Sequence, residues 1–267
     1  MNEQQKMPFW KHIEELRTRI IRCFIIIIIF MIILMINKNF VFDKIIFGPA
    51  KINFITYRLL KKLIKILEIY NYSTNYYFNN LYIQNRKIFG QFNVYIWTCF
   101  IGGIILSFPY IFYEFWGFIS PALSKKEKKY SIKIFFMVFV LFSIGIFFGY
   151  FILCPFLIHF AYYFKISYIP KNIFDLCDYI SLITNSTLLM GIIFLFPFFM
   201  YLLTKMELIS YEFLNKYKKH ALLVMLIISS AITPGDIIST IIVLIPLLIL
   251  YKVSLYISFH IQQKKPS

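Results

Sequence analysis

Twelve acidic residues face 28 basic ones in this chain of 267 residues, so each carboxylate can be weighed individually. Glu3, Glu14, Glu15, Glu127, Glu207 and Glu212 fall in a tail and loops rich in lysine and arginine. Glu127 is the only acid in Lys125-Lys126-Glu127-Lys128-Lys129, a run that by itself reads as a solvated charged loop. Glu114 and Asp236 each adjoin a long apolar run, where an ionisable side chain is a functional candidate by default. The blander readings are an interfacial acid beside Trp116 and a turn former in Pro234-Gly235-Asp236.

Other chemistry is poorly represented. His12, His159, His220 and His260 sit at segment ends, without the pair deep in two helices that a bis-histidine haem needs. Cys23, Cys99, Cys154 and Cys177 are scattered, with no C-x-x-C pair, and read as small packing residues. No Walker A sequence appears, and no carboxylate series runs through the apolar segments as a proton relay would. Asn185-Ser186-Thr187 forms a small polar patch of the kind that bonds across helices. The expectation is a protein with no catalytic set, no cofactor and no metal site, which binds something basic or polar on one face.

The elements that must position these residues are membrane helices. Hydrophobic residues make up 60% of the chain and charged ones only 15%, against roughly 45–50% and 25% in soluble domains. With a mean hydropathy of +0.73, the net charge of +16 points to basic loops between membrane spans rather than to nucleic acid. Spanning about 30 Å of hydrocarbon takes about 20 mostly apolar residues. Six segments approach this: 20–40, 92–118, 132–160, 179–203, 221–232 and 237–258. Pro109, Pro155 and Pro197 mark kinks, and the fifth segment is short for a full crossing. The N-terminus carries acids and no small-residue cleavage site, so the first span is read as retained, with Arg22 snorkelling near its start.

An even number of spans puts both termini on one side. The N-terminal tail, the 119–131 loop with Lys133 just beyond it, the 204–220 loop and the C-terminal tail hold fifteen of the 28 basic residues, which places them inside. The expected fold is an all-α membrane protein of six transmembrane helices, one integral domain over 1–267 with an inner segment at 1–19. A long outer loop, 37–91, is the exception to the charge rule. Within it Ile52, Ile55, Leu59, Leu63 and Ile66 recur at helical spacing, with Arg58, Lys61, Lys62, Lys65 and Glu68 on another face. This predicts a basic amphipathic helix, lying on the outer membrane surface or packed on the protein's own outer face. The stretch 70–85 reads as irregular loop.

Three segments together resemble the TatC family of twin-arginine protein translocase subunits. His12-Ile13-Glu14-Glu15-Leu16-Arg17-Thr18-Arg19 is similar to that family's H-x-x-E-L-R-x-R segment. The run from Phe108 to Leu123, containing Pro109, Tyr113-Glu114, Trp116, Phe118 and Pro121, resembles its P-x-x-x-Y-Q/E-x-W-x-F-x-x-P-x-L, with Glu127 following at the right distance. Thr233-Pro234-Gly235-Asp236, then Ile245-Pro246 and Leu250-Tyr251, resembles its T-P-x-D turn and last helix, and Gly48-Pro49 another of its features. The resemblance implies a cupped six-helix receptor for signal peptides with two adjacent arginines, acting in proton-gradient-driven transport of folded proteins. It implies Glu15, Arg17, Phe118 and Glu127 as the signal-peptide-binding residues, with Glu15 and Glu127 gripping guanidinium groups. It implies Pro49, Pro109, Glu114, Trp116, Pro121 and Asp236 as motif positions. Expected partners are twin-arginine signal peptides, TatA/TatB-like single-span subunits, membrane lipid and further copies in an oligomer, but not nucleic acid.

Two positions depart from the family pattern. Leu195, two residues before Pro197, stands where an intramembrane glutamate is common, and Lys252 stands where another glutamate often follows Tyr251. The outer loop also exceeds the family's usual length. Together with a composition rich in Ile, Phe, Tyr, Lys and Asn, these departures favour the mitochondrial inner membrane, with the plastid thylakoid and bacterial plasma membranes as alternatives. A diverged scaffold or assembly subunit of a respiratory complex is the alternative function. A solute transporter or redox subunit is disfavoured by the absence of intramembrane acids and paired histidines.

Overall fold

The computed structural model describes residues 9–51, 53–66, 81–119, 131–167, 169, 172–206, 208–233 and 237–263. The first span, α1 (Phe9–Ile36), lies against α3 (Gly90–Ile119), with the outer loop and its helix α2 (Ile55–Ile66) between them in sequence. Much of α1 faces outward through Phe24, Ile28 and Ile32, which suits a lipid-facing helix. Two apolar helices in lipid gain nothing by hiding apolar surface from each other, so close backbone approach must hold them. Gly103 supplies that approach: a Cβ there would lie 2.9 Å from the Ile27 carbonyl oxygen.

The third span is composite. Helix α4 (Ser131–Phe148) widens into one π-type turn at Gly149–Leu153 and continues as α5 (Cys154–Tyr163). The fourth span is α6 (Leu176–Ile193), a break at Phe194 and Leu195, then α7 (Phe196–Lys205) with Pro197 in its first turn. Proline is tolerated there because a first-turn N–H has no helical partner to lose. Asp175 caps α6 by accepting from the Cys177 N–H at 2.8 Å, which also holds its carboxyl below the usual value. The third and fourth spans meet at glycines: a Cβ on Gly145 would come 2.6 Å from the Met190 carbonyl oxygen and 2.8 Å from the Gly191 Cα.

A short helix, α8 (Tyr211–Lys216), leads to α9 (Lys218–Ile232) and the last span, α10 (Ile237–Gln263). Among the described residues, five stretches are long and apolar enough to cross a membrane: Ile13–Ile36, Gly90–Phe118, Ile134–Tyr163, Leu176–Lys205 and Thr240–Gln263. The sixth segment is α9, whose 15 residues reach only about 22 Å. Polar ties join the last span to its neighbours: Thr204 Oγ1 and Ser258 Oγ lie 2.8 Å apart, and the Tyr251 hydroxyl donates to the Leu214 carbonyl at 2.8 Å.

The outer loop is fastened down by tyrosines. Tyr150 donates to the Ile45 carbonyl at 2.7 Å, Tyr179 to that of Ile46 at 3.1 Å and Tyr57 to that of Pro49 at 3.1 Å. Pro49 is fully buried among them. Beyond the described part of the loop, β1 (Ile83–Gln84) pairs in parallel with β2 (Phe174–Asp175), a pairing absent from the loop reading of 70–85. The predicted amphipathic helix is α2. Its first turn docks on the third span, while Ile55 and Leu59 stay half exposed, so this helix meets the protein along one edge and leaves apolar groups uncovered. The docking has a backbone cause. Pro155 lacks the N–H that would bond the Phe151 carbonyl in an α-helix, and Thr56 Oγ1 donates to that carbonyl instead.

Two substitutions test these supports. Gly103→Leu forces α1 off α3 and is expected to cost about 2 kcal/mol or more, read as a lowered melting temperature in detergent. Thr56→Val orphans the Phe151 carbonyl, costing about 1 kcal/mol, and exposes α2 to faster proteolysis without a comparable loss elsewhere.

Candidate functional site

Helix periodicity places Glu15 and Arg19 one turn apart on α1, and Tyr110 and Glu114 one turn apart on α3. The packing of α1 on α3 then merges the two pairs. Arg19 lies across the junction. Its Nε and Nη2 donate to Glu15 Oε1 at 3.1 and 2.7 Å, and its Nη1 donates to Glu114 Oε2 at 2.9 Å and to the Glu114 main-chain carbonyl at 3.2 Å. The Tyr110 hydroxyl donates to the other Glu114 oxygen at 2.9 Å. Arg22 reaches back to within 3.7 Å of the same oxygen while its side chain stays 58% exposed, as a snorkelling arginine does.

Glu114 is 4% exposed, a burial that an ionised carboxylate tolerates only with counter-charge and hydrogen bonds on both oxygens. Arg19, Arg22 and Tyr110 provide them. Gly117 makes room: a Cβ there would sit 2.5 Å from Arg19 Nη1. A side chain at 117 therefore lifts the guanidinium off α3. Glu15 has a different environment. Its side chain keeps 31% exposure, and both Arg19 bonds fall on Oε1. Among the described residues its Oε2 accepts no hydrogen bond, and the carboxylate is held in one orientation by Arg19.

Of the other residues expected at the site, Arg17 is exposed and Phe118 half-buried near this junction on α1 and α3 respectively. Trp116 is buried on nearly the opposite side of α3 from Glu114, with ring centroids 6.1 Å from Phe112 and 6.3 Å from Phe198. Its indole N–H has no acceptor among the described residues. Pro109 lies inside α3, and Pro49 lies at the far end of the molecule under the outer loop. Glu127, Pro121 and Asp236 lie outside the described residues. Arg19, Tyr110 and Gly117 were not among the site residues expected from sequence. The i, i+4 spacing of Glu15 with Arg19 and of Tyr110 with Glu114 was the available signal.

The junction predicts a non-additive mutant cycle. Glu114→Leu leaves Arg19 short of a counter-charge and is expected to cost about 2 kcal/mol of stability, whereas Glu114→Leu combined with Arg19→Met recovers part of the loss. Melting temperatures in detergent for the two single variants and the double variant measure the coupling.

The family model for TatC, Sec-independent protein translocase protein, matches residues 11–246. The Sec-independent protein translocase protein TatC of Blattabacterium sp. subsp. Periplaneta americana is 66% identical over 264 residues, covering 99% of each chain. That of Desulforapulum autotrophicum is 30% identical over 265 residues, covering 99% of this chain and 89% of its own. Two crystal structures of the twin arginine translocase receptor TatC superpose with TM-scores of 0.70 and 0.73 at 25% and 27% identity. They cover 93% and 92% of this chain, and 98% and 99% of their own. Matched in sequence and fold along nearly all its length, this chain belongs to the TatC family of Sec-independent protein translocase subunits.

Proposed function

We propose that this chain is the receptor subunit of a twin-arginine translocase, binding twin-arginine signal peptides and supporting proton-gradient-driven transport of folded proteins. A TatC protein is a translocase membrane subunit and not an enzyme in the catalytic sense. The observation that supports the receptor reading is the asymmetry of Glu15: one oxygen is fixed by Arg19 and the other is presented at a partly exposed surface. A carboxylate oriented in advance loses little freedom on accepting a guanidinium. Glu127 supplies the second acid in this reading, with Arg17 and Phe118 flanking the bound peptide. Lys125, Lys126, Lys128 and Lys129 then repel cations that offer no second arginine.

Docking of TatA/TatB-like single-span subunits takes an altered form in this proposal. Leu195 is buried in an apolar cluster with Phe112, Trp116 and Phe198, so its site is packed as hydrocarbon rather than left as a hole where an acid was lost. Lys252 is exposed on α10 beside the buried Tyr251. A partner that meets this surface offers an acceptor for Lys252 and no group needing a carboxylate at 195. The membrane is proposed to be the bacterial plasma membrane. The relatives described above are bacterial, and a composition rich in Ile, Phe, Tyr, Lys and Asn suits an AT-rich bacterial genome as well as an organelle. The mitochondrial placement expected from composition thus gives way to the bacterial alternative.

Photocrosslinking of a twin-arginine peptide to the full chain tests the site. Glu15→Gln and Glu127→Gln are each expected to weaken capture about 5- to 30-fold, the loss of one charged contact of about 1–2 kcal/mol. Exchanging the peptide's arginine pair for lysines is expected to weaken it similarly. Unchanged capture by the double variant overturns the assignment. Co-purification with a respiratory complex, with no cargo defect on depletion, would favour the scaffold reading.

A further inference from the structure

The outer half of the molecule holds a second site, unrelated to the acids at the inner end. A cleft of about 730 Å³ opens among the first four spans beneath the outer loop, a volume typical of ligand pockets. Its walls are apolar, formed by Leu34, Ile101, Ile105, Ile146, Phe147 and Ile183. Three cations, Lys44, Lys51 and Arg58, line its outer mouth, and no acid is among its lining residues.

Each of these cations is exposed and tethered from one side only. Lys51 Nζ donates to the Asp43 carbonyl at 2.7 Å, Arg58 Nε donates to the Asn53 carbonyl at 2.9 Å, and Lys44 Nζ sits 5.5 Å from the centre of the Phe40 ring. Among the described residues none of the three has a carboxylate within salt-bridge distance. Deeper in the cleft, Thr98 Oγ1 is buried, at 3% residue exposure, and has no hydrogen-bond partner among the described residues. By contrast Thr184, also on the lining, donates to the Ile180 carbonyl at 2.9 Å. A buried hydroxyl left unpaired while its neighbour is satisfied marks a place for an acceptor from outside the chain.

We propose that this cleft binds an anionic phospholipid of the outer leaflet. One acyl chain fills the apolar cleft, the phosphate rests among Lys44, Lys51 and Arg58, and Thr98 donates to an ester carbonyl. The charge pattern selects this occupant. An uncharged apolar helix would fill the walls but leave three cations without an anion, and a zwitterionic lipid would set its own positive group against them. An amphiphile with a net negative head satisfies the mouth, the walls and the orphaned hydroxyl together. The tyrosines that pin Ile45, Ile46 and Pro49 fix the loop bearing Lys44 and Lys51, so the mouth is shaped before the lipid arrives.

Native mass spectrometry of the full chain in mild detergent, with phosphatidylglycerol and phosphatidylcholine of matched acyl chains, tests this. Phosphatidylglycerol is expected to be retained preferentially, with the preference falling about fivefold for each of Lys44→Gln, Lys51→Gln and Arg58→Gln. Ile105→Trp, which fills the cleft, is expected to remove retention of both lipids, while Lys51→Arg keeps it. An unchanged melting temperature shows that a variant is folded, and the graded single variants serve if the triple is not. Equal retention of the two lipids by the native chain overturns the proposal, as does full phosphatidylglycerol retention by the triple glutamine variant. A photocrosslinker at Ile105 that captures the apolar part of a signal peptide in place of lipid also overturns it. Glu15→Gln leaves lipid retention unchanged, so failure here and failure of the receptor assignment are told apart.

Discussion

The Arg19 guanidinium is the point at which the inner end of the fold and its chemistry become one problem. It shares its donors between Glu15, one turn away on its own helix, and Glu114, 95 residues further along the chain on α3. Burying Glu114 without Arg19 would leave a carboxylate in a medium that solvates it poorly. Burying Arg19 without Glu114 would leave its Nη1 without a charged acceptor. Each helix therefore carries a group that only the other can satisfy. The pair fixes the rotation and depth of α1 on α3, which Gly103 permits from the apolar side and Gly117 from the polar side. Orientation of Glu15 follows from the same contact, so the proposed receptor surface inherits its geometry from a structural ion pair.

A comparable constraint governs the backbone. In hydrocarbon every carbonyl freed by a proline or a widened turn must find another donor. The third span frees one at Phe151, and the hydroxyl of Thr56 meets it. The loop after α1 presents carbonyls at Ile45, Ile46 and Pro49, and tyrosines from α2, the third span and α6 meet those. The kinks are thus sites where separate elements are obliged to join, because an irregular helix alone cannot satisfy its own polar groups. This explains how the loop from Ile45 to Tyr57, although remote from the acids, is tied to the third and fourth spans.

Sequence patterns revealed the spans because length and apolarity are properties of contiguous residues. The 15-residue α9 was legible as a short segment for the same reason. The amphipathic spacing of α2 was legible too, but not which edge would dock, since that depends on Thr56 meeting a carbonyl freed 95 residues away. Glu15 and Glu114 stood out as acids in a basic chain. Arg19 did not, because on a chain with 28 basic residues it reads as one more charge setting orientation. Its role appears only when α3 is laid beside α1. Gly117 is equally silent in one dimension, as its contribution is the volume it leaves empty for the guanidinium.

The two ends of the molecule solve opposite electrostatic problems with the same few residue types. At the inner end, acids are scarce and embedded among cations, so a carboxylate that keeps one oxygen accessible is selective by rarity. At the outer mouth, cations are gathered without acids over an apolar cleft, so attraction there is for anions that carry a hydrocarbon tail. A net charge of +16 spread evenly would attract any anion and repel any cation. The fold instead pairs Arg19 with two of its acids and leaves Lys44, Lys51 and Arg58 without acidic partners among the described residues. Which charges are cancelled, rather than how many there are, is what the two proposals rest on: an arginine-bearing peptide at one surface and an acidic lipid at the other.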